Sequence, residues 1–67
     1  MNIMSVAKRV LAEFEEMPGM TLTPRQASRL FGLSEADCRL VLDVLVDASY
    51  LRENGGRISL GQRMAAA

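Results

Sequence analysis

Histidine and tryptophan are absent from this chain, cysteine occurs once, and its positive and negative charges cancel. Each of these shortages removes a class of function. Without histidine there can be no His-based metal site and no Ser/His/Asp triad. A lone cysteine cannot close an internal disulfide, so Cys38 is expected to be a small buried hydrophobe in a reducing compartment. No apolar run reaches the length of a membrane span and no segment resembles a signal peptide, which points to a cytoplasmic protein without a membrane partner. No nucleophile–base pair, metal cluster or cofactor loop can be assembled, so no catalytic residue, metal or cofactor is expected and the chain is not read as an enzyme. Eight basic residues against eight acidic ones leave no overall electrostatic pull toward nucleic acid.

What is present describes a small globular domain. The chain has 67 residues, enough for one domain with a modest core, and 49% of them are apolar, which argues against disorder. Aromatics are scarce, so the core must come mainly from Leu, Val, Met and Ala. Met1, Met4, Met17, Met20 and Met64 read as gap-fillers and terminal residues. The domain is expected over residues 1–62, with 63–67 a disordered tail. Ala65, Ala66 and Ala67 are either native or a cloning remnant and receive no functional weight.

The periodicity predicts three helices. Ile3, Val6, Ala7, Val10, Phe14 and Met17 fall at helical spacing and form one stripe of a first helix, which Pro18-Gly19 ends. Met20 to Thr23 could be a short strand. Thr23, Pro24 and Gln26 then make a capping-box start for a short second helix, Pro24 to Phe31, stopped by Gly32. Ser34 caps a third helix running to about Ser49, with Glu35 and Asp37 beside its positive end. On this helix Cys38, Val41, Leu45 and Ala48 share the expected core face, with Leu42 and Val44 at its edges. Beyond it the pattern shifts to alternation in Tyr50–Glu53 and Arg57–Leu60, around Asn54-Gly55-Gly56. That is the signature of a two-stranded hairpin, with the glycines as turn chemistry; they lack the strand–loop–helix context of a phosphate loop.

Helix, short strand, short helix, tight turn, longer helix and hairpin together resemble a winged helix-turn-helix domain of the bacterial transcription-regulator type, an α+β fold that is mostly α. The resemblance covers Ile3 to Leu60. Its most specific part is Thr23 to Leu45: small Ser28, apolar Phe31, Gly32, apolar Leu33, Ser34, then apolar Cys38 and Val41. It implies duplex DNA binding, with the third helix in the major groove and the hairpin as a wing against the backbone. Carried over residue by residue, the base-reading positions are Ser34, Glu35, Ala36, Arg39 and Asp43. The phosphate contacts are Arg25 and Arg29, with Arg52 and Arg57 on the wing. A single such domain offers one groove-reading element, so a second copy of the chain is a natural partner.

The third helix departs from that pattern. It sets Glu35, Asp37, Asp43 and Asp47 against one Arg39, and Glu35, Arg39 and Asp43 are spaced so that the arginine can pair on the helix itself. Several acids near phosphates lose affinity that other contacts must restore. The alternative is a protein–protein interaction module that uses the same scaffold with an acidic helix that does not bind DNA. Leu40 and Val46, apolar and off the main stripe, are then the candidate partner interface. Val46 is expected to be exposed and Leu40 to be covered by the first helix or the wing.

Overall fold

In a computed structural model of the chain, residues 2–61 are described; Met1, Met64 and the tail expected over 63–67 lie outside the described residues. The elements are α1 (Ile3–Glu16), β1 (Thr21–Leu22), α2 (Pro24–Phe31), α3 (Glu35–Asp47), β2 (Leu51–Asn54) and β3 (Arg57–Leu60). Three helices thus pack with a three-stranded antiparallel sheet of order β1-β3-β2, an α+β architecture that is mostly helical.

Each helix starts where its side chains can satisfy free backbone N–H groups. Asn2 accepts from the Ser5 amide (3.1 Å), Thr23 from Gln26 (3.1 Å) and Ser34 from Asp37 (3.0 Å). Around Thr23 the bond is reciprocal: the Gln26 side chain accepts from the Thr23 amide at 3.0 Å, completing the capping box. In the sheet, Leu51 pairs with Leu60 and Glu53 with Ile58, while Arg52 pairs with Ser59 and Asn54 with Arg57. Alternation therefore puts Leu51, Ile58 and Leu60 on the inner face and Arg52, Asn54, Arg57 and Ser59 on the outer one. β1 adds Leu22 opposite Ile58 and Thr21 opposite Ser59.

The core lies between the three helices and the inner sheet face. Phe14 is fully buried, and its ring meets that of Phe31 at 6.3 Å between centroids, tilted by 47°. Ala7 and Val10 from α1, Ala27 from α2, and Leu51 and Ile58 from the sheet complete it around α3. α3 itself buries Cys38, Val41, Leu42 and Leu45.

Several expectations need correction. Leu42, expected at the edge of the core stripe, is among the most deeply buried side chains, and Ala48, expected on the core face, is exposed. α3 carries apolar residues around much of its circumference, so its periodicity alone leaves the stripe's centre ambiguous, and packing against α1, α2 and β2 resolves it. α3 also ends at Asp47, before Ala48 can join the stripe. Met17 is the cap residue of α1, outside the helix, and is 59% exposed.

The end of α3 is made without glycine. The Tyr50 amide donates to the Leu45 carbonyl (2.9 Å) and the Ser49 amide to that of Val46 (2.9 Å), the paired pattern of a Schellman motif. It requires Ser49 at φ 70°, the one non-glycine residue with positive φ among those described. The chain returns beside this corner: the Gly61 amide donates to the Tyr50 carbonyl (2.8 Å), and a Cβ at Gly61 would stand 2.7 Å from the Ser49 carbonyl oxygen.

Ser49→Gly relieves a left-handed serine that costs about 1–2 kcal/mol, less the extra chain entropy of glycine. The expected net gain is about 0.5–1 kcal/mol in urea denaturation. Gly61→Ala should act in the opposite sense; equal or greater stability for that variant would rule out the tight corner.

Candidate functional site

The α2–turn–α3 unit is built by local chemistry. Gly32 closes α2 in the left-handed conformation (φ 69°, ψ 33°), with its amide and that of Leu33 both donating to the Ser28 carbonyl. Ser28 is buried where the helices approach, and its hydroxyl donates to the Arg25 carbonyl at 2.9 Å. Two further contacts hold the unit from behind. The Cys38 thiol lies 3.7 Å from the Pro24 carbonyl, tying α3 to the start of α2. Arg9, on α1, donates to the Phe31 carbonyl at 3.1 Å and so satisfies the last turn of α2. Arg9 reads in the sequence as one of the polar residues off the α1 stripe; only its placement against the end of α2 reveals the contact.

A shallow cleft opens between the N-terminal ends of α2 and α3. It is lined by Pro24, Arg25, Glu35, Ala36 and Arg39. Four of the sequence-derived DNA-contact residues, Arg25, Glu35, Ala36 and Arg39, are thus brought together. Two guanidinium groups face the Glu35 carboxylate in the lining, and the Asp43 carboxylate reaches Arg39 from its edge. Arg29 stands one turn after Arg25 on α2, exposed and outside the lining. Ser34 is also outside it, and its hydroxyl oxygen is engaged as the cap of α3. Arg52 and Arg57 belong to the outer face of the sheet, on a hairpin whose tip from Glu53 to Arg57 is entirely exposed.

Of its two acidic neighbours on the helix, Arg39 pairs with Asp43, at 3.6 Å, with both side chains more than half exposed. Such a pair contributes at most about 1 kcal/mol and is screened by salt, so it does not commit Arg39. Asp43 itself belongs to a second depression, together with Leu40, Val44, Val46 and Asp47. Three of the four acids of α3 are therefore divided between the two hollows: Glu35 lies in the cleft, and Asp43 and Asp47 lie with apolar neighbours further along the helix.

The apolar candidates exchange places relative to expectation. Leu40 is exposed (51%), whereas Val46 is half-buried and packs against the core. Leu40 thus stays open to solvent, while Val46 leans on the buried cluster. Val44 is exposed as well (37%), as is Met4 on α1. Neither stood out in the sequence, because residues on the margin of an apolar stripe show no side preference until the helix is packed. Met17 and Leu30 are also exposed, as isolated apolar residues commonly are.

Among the described residues no group of three or more His, Cys, Asp or Glu side chains is placed to hold a metal, and no helix is long and apolar enough to cross a membrane.

Burial pushes the Cys38 thiol above its ordinary pKa of 9.0. The unfolded chain then loses the proton first as pH rises, and the folded state binds more protons than the unfolded one. Stability should therefore be fully retained below that value and fall above it. A Cys38→Ala variant, unfolded in parallel across the same pH range, should lack that part of the slope; identical slopes would contradict the burial. No family model and no curated protein sequence matches the chain.

Proposed function

We propose that this chain is a winged-helix-type module that binds duplex DNA through the N-terminal half of α3, with the β2–β3 hairpin as its wing. The observation that carries the reading is the cleft that gathers Arg25 and Arg39 with Glu35 and Ala36. A guanidinium at Arg39 suits the O6 and N7 acceptors of guanine, a carboxylate at Glu35 suits the cytosine amino group, and Ala36 suits a thymine methyl. Arg25 and Arg29, one turn apart on α2, suit phosphates, as do Arg52 and Arg57 on the exposed hairpin. The helix-wide charge of α3 argues against DNA less strongly than it does in the sequence, because Asp47 lies in a depression apart from the cleft and Asp43 reaches Arg39 only through a weak, exposed pair. The cytoplasm and a role in transcription regulation belong to this same proposal.

A second reading, a protein-interaction module, is favoured by a different observation. Leu40 and Val44 are exposed side by side in the company of Asp43 and Asp47. An apolar surface rimmed by charge is a common form of partner site.

A random-sequence duplex titrated at low and moderate salt tests the first reading. Binding should weaken steeply with salt. Arg29→Ala should weaken it evenly across sequences and reduce the log–log salt slope by about 1. Arg39→Ala should cost about 1–3 kcal/mol on a preferred site and little on random DNA. Absence of any salt-dependent binding, even at low salt, would sink the DNA reading and leave the second.

A further inference from the structure

We propose that the face formed by α1 and the C-terminal half of α3 joins two copies of this chain about a two-fold axis. The face is built at helical spacing from both elements. α1 contributes Met4, Lys8 and Leu11 to a groove whose opposite wall holds Val44 and Leu45 of α3 and Ala48 just after it. Val44 also lines the neighbouring depression with Leu40, so the two hollows form one continuous surface. Along it Met4 is 61% exposed, Leu40 51% and Val44 37%. These are side chains whose transfer out of water is favourable, at about 25 cal/mol for each Å² covered.

Charge complementarity selects a second copy as the occupant. The α1 side of the face carries a cation, Lys8, and the α3 side carries anions, Asp43 and Asp47. Among the described residues neither Lys8 nor Asp47 has an ion-pair partner, and the only acid with one is Asp43, which Arg39 holds. With the two-fold axis running along the seam between α1 and α3, each α1 edge meets the other copy's α3 edge. Lys8 then faces the partner subunit's Asp47, twice over. A foreign protein with a patch of one sign would satisfy only half of this surface. The whole chain has zero net charge, so two copies approach without long-range repulsion. Arg25, Glu35, Ala36 and Arg39 stay outside the face, so pairing leaves both clefts open. The inference gives an occupant to the apolar surface of the second reading above and does not depend on what the cleft binds.

Sedimentation equilibrium of the full chain from micromolar to millimolar concentration should give a mass rising to twice the 7.4 kDa monomer. Val44→Glu and Leu40→Glu, both at exposed positions, should keep the helical circular dichroism spectrum and remove the dimer. Lys8→Glu should weaken association at least tenfold, and Lys8→Glu with Asp47→Lys should restore it. A wild-type chain that is monomeric at millimolar concentration would overturn the proposal. So would a dimer indifferent to both apolar substitutions, or a charge reversal that the double variant fails to rescue. DNA titration of the monomeric Val44→Glu variant separates the two proposals: binding there with no wild-type dimer removes this one alone.

Discussion

Burial of one stripe of α3 is the interaction on which the rest of the structure depends. Cys38, Val41, Leu42 and Leu45 lie one and two turns apart and are all nearly inaccessible to solvent. α1, α2 and β2 each pack on this helix, so its inner stripe is the common ground of every layer. In a 67-residue chain there is no second core to compensate. Loss of a single buried Leu costs about 2–5 kcal/mol, which is comparable with the whole stability of such a domain. What remains of α3 is its outer surface, and the functional readings all rest on that surface.

A core this small places unusual weight on backbone termini. Asn2, Thr23 and Ser34 cap the three helices, Arg9 satisfies the end of α2, and the end of α3 is closed by Ser49 in a left-handed conformation. The caps and the Arg9 contact each contribute on the order of 1 kcal/mol, whereas the left-handed Ser49 offsets part of what its closure gains. They also set geometry. The Thr23 and Ser34 caps with the Gly32 turn fix where α2 and α3 begin, and those two beginnings are the walls of the cleft. The Schellman closure after Asp47 turns the chain from α3 into β2.

Electrostatics on α3 is a matter of position more than of sum. Glu35 and Asp37 sit in the first turn, where the helix dipole favours acids, so part of the helix's negative charge stabilises the helix start. Asp43 and Asp47 lie beyond the cleft and border apolar side chains. Arg39 lies between, with a weak exposed pair to Asp43 that salt or a phosphate can displace. The same helix can therefore offer one chemistry near its N-terminus and another near its C-terminus.

Local chemistry was readable from the sequence itself. The capping box at Thr23, the Ser34 cap, the Gly32 turn and the glycine hairpin each depend on a few adjacent residues, and each stands within a residue or two of its expected place. The short strand was legible only as a possibility, because two residues gain strand character by pairing with β3. The order of the elements was legible too, which is why a mostly helical α+β fold could be anticipated. Tertiary structure decided which side of α3 faces inward, since that helix is apolar around much of its surface and only contact with α1, α2 and β2 selects Leu42 over Ala48. It decided that Leu40 and Val44 face water while Val46 is half-buried against the core. It also brought Arg25 beside Glu35, Ala36 and Arg39, and Arg9 against Phe31, because contacts between residues distant along the chain leave no periodic trace in it.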